Sequence, residues 1–412
     1  MKFWKGVCCV CYEEKILVLF MTVCMVFSLT ACGSGGEIVD LVTNDTGENE
    51  SLDTAKKTVD INPAGMKTIS KKNLKIGVLY IGSASETSGY TYAHEIGIQG
   101  MANNIGLDDA QIVREENVND DDEKAIKAAL QECVDKKCNV IFTTSWGYMN
   151  QTEIYAKKYP DIYFAHATGY KSNGKNFTNY FGRIYLARYL SGIVAGLKTK
   201  ADKIGYVSAM GTENSECTGG VDAFALGVES VNKNAKIKVA VTDSWYSPDD
   251  EKKASDALIK AGCDVLAQHC DTNAPQEASL DNGTWAIGYN SDMSKETPKA
   301  TLTSVIWNWS AYYTSYISSI INASYDGKNY YGGMKENLVS LTELSSLCDK
   351  QTEQKVNDAK EKIVSGKFGV FDGVLKTNTG KTVGKKGKTL SDSAITGNIN
   401  WYYHNVSELK WK

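Results

Sequence analysis

The chain lacks a basic excess, a membrane-length apolar run and the short signatures of catalysis. Each absence removes a class of function. Lysine and arginine number 45 against 49 aspartates and glutamates, a net charge of −4, which is not the basic face that nucleic acid requires. The apolar run Ile16 to Phe27 is too short to span a bilayer. Another apolar, small-residue stretch, Tyr180 to Gly196, carries Arg183 and Arg188. A charge at mid-bilayer costs about 2.5–3.5 kcal/mol, so this stretch reads as a tightly packed helix of a soluble protein. There is no His-Glu-x-x-His, no nucleophile elbow and no P-loop, and Gly-x-Gly-x-x-Gly is missing at Gly77 and Gly82. Catalysis and a cofactor are therefore not expected. Among the later cysteines, the spacings 133/138 and 263/270 are not those of a zinc site.

What is present begins at the amino terminus. Lys2, Lys5 and Lys15 precede the short apolar run, the layout of a secretory signal peptide. Leu29-Thr30-Ala31-Cys32 with Gly33-Ser34-Gly35-Gly36 resembles the lipobox of bacterial lipoproteins. The resemblance implies cleavage after residue 31 and diacylglycerol on Cys32. Acyl chains hold a protein on a membrane at about 0.8 kcal/mol per buried CH₂, without a spanning helix. Residues 32–72, rich in Gly, Ser, Asn, Asp and Thr, read as a tether. Six further cysteines, Cys133, Cys138, Cys217, Cys263, Cys270 and Cys348, lie in the body. They fit either disulfides or buried free thiols, and spacing does not assign pairs.

A chain of 412 residues suits two domains, and the body is one pattern written twice. Lys75-Ile76-Gly77 returns as Lys203-Ile204-Gly205, 128 residues later. Asp121-Asp122-Glu123-Lys124 returns as Asp249-Asp250-Glu251-Lys252, and Cys138-Asn139-Val140-Ile141 as Cys263-Asp264-Val265-Leu266. Strands alternate with helices in each copy, which implies βαβ units and parallel sheets. The fold class is α/β with two lobes, and Tyr180–Gly196 lies at their seam.

Ligands of parallel sheets sit outside the carboxyl ends of strands, and clefts between domains are favoured sites. The loops at those ends are rich in aromatics and amides. Tyr90 and Tyr92 stand two apart, so on extended backbone they share a face, with one of them lining the cleft. Trp146, Trp245, His269, Asp271, Asn273, Asn290, Asp292 and Trp307 complete the candidate set. Facing rings would contribute roughly 2–6 kcal/mol by stacking on a flat heteroaromatic ligand. A micromolar complex requires about 8 kcal/mol, so Asp271, Asn273, Asn290 and Asp292 must add directional hydrogen bonds. The competing readings are ordinary packing for Trp146 and Trp245, a satisfied helix histidine for His94, and a helix-capping role for Asp243 and Asp249.

The combination resembles the basic-membrane-protein family of substrate-binding lipoproteins, receptors of certain ABC importers. Phe181-Gly182-Arg183 with the following Gly-rich helix, and Ser365-Gly366 with Phe368 and Phe371, carry it most specifically. The resemblance implies the two-lobed type I periplasmic-binding-protein fold with three hinge crossings. Residues 73–182 plus 303–328 form one lobe, 183–302 plus 329–375 the other, and 376–412 an extension. Gly182, Arg183, Thr303 and Ser304 fall at the hinge. It also implies a purine clamped between aromatic rings, with Tyr90 on one side and Trp245 on the other. Gly82-Ser83-Ala84 and Trp307 stand where nucleoside binders carry an acid and a lysine for the sugar. Gln268-His269-Cys270-Asp271 and Asn290-Ser291-Asp292 resemble instead a subgroup associated with free bases, which favours a nucleobase such as adenine. The expected partners are a purine, ABC permease subunits and the outer or periplasmic face of a membrane, for a monomer without nucleic acid. A signalling receptor of the same fold, or a flavin, sugar or peptide ligand, remains the alternative. No helix-turn-helix precedes the first lobe, which argues against a repressor.

Overall fold

The structure is a computed structural model that describes residues 60–412. The signal peptide, Cys32 and the tether up to residue 59 lie outside the described residues.

The first half of the body alternates as the repeat requires. Strands β1 (Ile76–Leu79), β2 (Ile112–Glu115), β3 (Val140–Thr143), β4 (Tyr163–Ala167) and β5 (Phe177–Gly182) are separated by α1 (Gly89–Ile105), α2 (Glu123–Asp135) and α3 (Met149–Lys158). The second half runs α4 (Ile184–Lys198), β6 (Lys203–Ser208), α5 (Ser215–Val231), β7 (Lys236–Val241), α6 (Pro248–Lys260), β8 (Val265–His269), α7 (Ala274–Asn282), β9 (Trp285–Asn290) and β10 (Thr301–Trp307). After these come α8 (Trp309–Ile321), β11 (Tyr330–Gly332), β12 (Val339–Leu341), α9 (Lys350–Val364), β13 (Asp372–Lys376), β14 (Thr382–Thr389), α10 (Asp392–Asn398) and β15 (Val406–Glu408).

One sheet has the order β11-β5-β4-β3-β1-β2, and the other β12-β10-β9-β8-β6-β7-β15. Within these two sheets all pairings are parallel except that of β10 with β12, and β13 and β14 form a separate antiparallel pair. Strands β1, β3, β4 and β8 are buried at every position, as sheets covered on both faces require. The repeated acidic tetrapeptides both open helices, by different means. Asp122 caps α2, its carboxylate accepting from the N–H groups of Lys124 and Ala125. In α6 the corresponding aspartates lie inside the first turn, behind Pro248 and a Ser247 N-cap.

The chain passes between sheets three times: from β5 to α4, from β10 to α8 and from β11 to β12. The passages meet at Gly182 and Arg183. A Cβ on Gly182 would run into Leu338 and Trp307, and the Arg183 N–H donates to the Gly332 carbonyl at 2.7 Å. Thr303 and Ser304 do not lie at the crossing. They are interior to β10, which stays in the second sheet through Trp307, so the second passage falls at Asn308 rather than at 303. Likewise β11 pairs in the first sheet, so the third passage follows Gly332 rather than 328. The helix of the seam stretch, α4, packs against α5 at backbone distance. An added Cβ on Gly192 would sit 2.1 Å from the Phe224 carbonyl oxygen, and one on Gly227 2.0 Å from that of Tyr189.

The end of the segment read as tether and the C-terminal extension are both part of the body. Residues 60–72 are not tether: Met66 is buried, and Asn62 Nδ2 donates to the Tyr163 hydroxyl at 2.7 Å. The tail 376–412 adds β15 to the edge of the second sheet and buries Ile395, Ile399, Tyr402 and Val406. Tyr403 N–H donates to the buried Asp222 carboxylate at 2.7 Å. Among the described residues no helix is long and apolar enough to cross a membrane.

Candidate functional site

The strand-end loops of the two sheets face each other across a cleft with two hollows. The smaller, about 350 Å³, lies between Gly82, Glu86 and Tyr90 of the first lobe and Tyr246 and Asp271 of the second. The larger, about 640 Å³, lies between Trp146, Tyr170 and Asn179 on one side and Glu213 and Glu216 on the other. Its hinge end is walled by Asp392 and Ile395 of α10.

The lobes touch where α1 begins. Gly89 has φ +86, and a Cβ there would stand 2.6 Å from the Asp271 carbonyl oxygen. Tyr90 follows, its hydroxyl donating to the Thr144 carbonyl at 2.6 Å and its ring set edge-on to His94. Burial pushes its phenol well up, with Tyr180, Glu216, Tyr289 and Asp271 adding to the shift.

Opposite lies a buried amide–carboxyl pair. Asn290, at the end of β9, has φ +66 and donates from Nδ2 to Asp271 Oδ1 at 2.7 Å. Its own Oδ1 is buried without a partner. Desolvation, then the nearby Glu251 carboxylate, pushes Asp271 up to about 8, against the Asn290 hydrogen bond that lowers it. At neutral pH this carboxyl holds its proton, and it presents a donor beside the open amide oxygen. Glu251 shapes the loop from beneath: its carboxylate accepts from the Thr272 hydroxyl at 2.6 Å and from the Ser247 N–H at 3.1 Å.

A second polar group is buried behind Glu216 of the larger hollow. His269 is fully buried, neither ring nitrogen has a hydrogen-bond partner, and Nε2 lies 3.5 Å from Glu216 Oε1. Burial, then Arg188, holds the imidazole well below its usual range, so it is neutral. Burial raises Glu216 to about 7, opposed by Arg188. Arg188, in α4, lies over the Tyr289 ring with its guanidinium carbon 4.1 Å from the centroid. It donates to the Gln268 carbonyl, while its Nε and Nη2 are unpartnered. Buried polar atoms left open at a cleft cost stability unless something fills them.

Of the residues singled out from sequence, Tyr90 and Asp271 line the smaller hollow, while Asn290 and His269 line neither: Asn290 is buried against Asp271, and His269 beside Glu216 of the larger hollow. Trp146 is 61% exposed at the rim of the larger hollow. The others stand elsewhere. Tyr90 and Tyr92 are in the first turn of a helix, not on extended chain, so they point about 200° apart, and Tyr92 lines neither hollow. Trp245 packs edge-on to His269 at 5.8 Å, and the ring across from Tyr90 in the smaller hollow is its neighbour Tyr246. Asn273 is the N-cap of α7 and lines neither hollow, and Asp292 turns into its own loop to accept from Ser294. Trp307 is buried in a column His94–Trp309–Trp307, with successive centroids 4.5 and 4.6 Å apart, that crosses the hinge. There its Nε1 donates to the Tyr289 hydroxyl at 3.2 Å.

Sequence reasoning did not mark Glu216, Arg188, Tyr246 or α10 as site residues. An arginine inside the otherwise apolar α4 was the one available signal. The tail residue Asp392 accepts from Arg183 Nε at 3.0 Å and Nη2 at 2.6 Å, and nothing in the sequence links two positions so far apart.

Comparison with known proteins agrees with this architecture. A purine-binding protein of Brucella abortus is 33% identical over 341 residues, 82% of this chain and 94% of that protein. A putative ABC transporter glucose-binding protein of Haloferax volcanii is 35% identical over 61% of this chain and 63% of its own length. Among solved structures, a transcriptional activator of the comK gene from Bacillus halodurans has a TM-score of 0.63 at 23% identity. It covers 71% of this chain and 99% of its own. An ABC transporter solute-binding protein from Aeropyrum pernix has 0.60 at 15%, over 71% and 92%. These likenesses show the fold. Residues 73–372 match the family described as ABC transporter substrate-binding protein PnrA-like, the Bmp family. The chain belongs to that family of ABC transporter substrate-binding proteins.

Proposed function

We propose that the protein captures a free purine base, adenine being the type, between its lobes and delivers it to an ABC permease on the extracytoplasmic side. Cys32 would carry the lipid anchor. The observation that carries the base is the Asp271–Asn290 pair. A protonated carboxyl and an open amide oxygen, side by side and buried, offer one donor and one acceptor to the edge of a planar heterocycle. Tyr90 and Tyr246 supply rings on either side of that hollow. The purine-binding relative from Brucella supports the ligand class. Gly182 and Arg183 would form the hinge about which the lobes close.

A sugar is the second reading. It is favoured by the larger hollow, lined by Glu213, Glu216 and tyrosines, and by the relative named for glucose. Thermal-shift titration with adenine, hypoxanthine, guanine, their nucleosides and hexoses separates the two. A rise in melting temperature that is larger for a base than for its nucleoside is the expected result. Failure of every purine, with a rise for a hexose, would replace the purine by the sugar.

A further inference from the structure

The turn from α2 into β3 and the turn from α6 into β8 are one turn built twice. In each, the helix ends on a residue of positive φ, Lys137 (+65) in the first lobe and Gly262 (+89) in the second. The residue after it donates its N–H back into the last helical turn: Cys138 to the Cys133 carbonyl at 2.9 Å, and Cys263 to the Leu258 carbonyl at 3.1 Å. This six-to-one bond is the helix ending that brings the two bonded residues' side chains into contact. In the second lobe the pair is Leu258 and Cys263, an ordinary apolar contact inside a buried cluster. In the first lobe both members are cysteines.

Their sulfurs converge. A Cβ on Gly77 of β1 would stand 2.6 Å from Cys133 Sγ and 3.3 Å from Cys138 Sγ, so both lie over one point of the strand. Both are buried free thiols. The direct backbone bond limits the Cα separation to about 6.8 Å, since covalent geometry allows no more, and disulfides span about 4.4–6.8 Å. We propose that Cys133 and Cys138 form a disulfide when the protein is exposed to an oxidising medium, stapling the end of α2 to the foot of the first sheet. The cleft, at the other end of the strands, is untouched.

The oxidant is a low-molecular-weight disulfide. Cys138 is the attacking group, being the less buried of the two thiols and having Lys75 and Lys136 near enough to favour its thiolate. Its thiolate displaces one thiolate from the oxidant and forms a mixed disulfide. The Cys133 thiol then loses its proton and attacks Cys138 Sγ, releasing the second thiol. One disulfide is consumed, one is formed, and two small thiols leave.

The test uses the full chain, incubated natively with oxidised glutathione, then denatured, alkylated and cut with trypsin. Trypsin cleaves after Lys136 and Lys137, between the two cysteines. The expected product is a pair of peptides held together and separated by reduction, with the wild type melting about 2–4 °C higher when oxidised. Cys133→Leu, which copies the Leu258–Cys263 pair of the second lobe, should show no such rise. Full alkylation of both cysteines after oxidation, separate glutathione adducts on each, or an equal rise in Cys133→Leu would overturn the assignment.

Discussion

Replacing Asn290 tests the site most directly, and two substitutions separate its two roles. Asn290→Gly removes the Nδ2 hydrogen bond to Asp271 and tolerates φ +66. Asn290→Ala removes the same bond and adds left-handed strain. The lost bond leaves a buried carboxyl oxygen unsatisfied, which costs about 1–3 kcal/mol. Strain adds roughly 1–2 kcal/mol for alanine. Urea unfolding should therefore rank wild type above the glycine variant, and glycine above alanine, with steps of those sizes. Calorimetric titration with adenine should show affinity falling about 5–150-fold in the glycine variant, the same 1–3 kcal/mol expressed as binding. Because the Asn290 hydrogen bond lowers the Asp271 pKa, its loss should also move the alkaline limb of binding to higher pH. A glycine variant with unchanged stability, affinity and pH profile would refute the pairing as the centre of the site.

The ligand-free protein should lose stability as pH rises. Glu216 and Asp271 titrate near 7 and 8 in the folded state against about 4 unfolded, so the native state binds more protons through that window. Their contribution is complete below about pH 4 and is lost by about pH 8, at no more than about 1.4 kcal/mol per group per pH unit. The melting temperature of the free protein should fall between pH 5 and 8, less steeply in Asp271→Asn; a rise would contradict the upward shift of both carboxyls. Gly192→Ala should cost about 1–3 kcal/mol in urea unfolding, since its Cβ would sit 2.1 Å from the Phe224 carbonyl oxygen and α4 would have to leave α5. Gly397→Ala, whose Cβ meets nothing within 4 Å, is the control.

Much of the architecture was legible because it depends on neighbours in the chain. Alternating elements, the Asp122 cap and the doubled pattern are written in runs of a few residues, and the parallel sheets follow from them. The site was legible only as a set of loops. Which ring of Trp245-Tyr246 faces Tyr90 turns on the local twist of one loop, and both readings fit its composition. Tyr90 and Tyr92 fall on helix rather than extended chain because α1 begins at Gly89, earlier than the apolar pattern indicates. Thr303 and Ser304 looked like a crossing and are strand, since β10 continues pairing with β9 as far as Ile306.

By itself the sequence determined two α/β units, their order, their seam and the residue types of the cleft. Tertiary structure alone decided that Asp271 meets Asn290, that Glu216 of the larger hollow reaches the buried His269, and that α10 reaches Arg183 from the far end of the chain. The physical reason is range. Hydrogen-bond ladders and caps act between residues a few positions apart. Desolvation and convergence in a cleft arise only when separate elements are brought together, from 19 residues apart for Asp271 and Asn290 to 209 for Arg183 and Asp392.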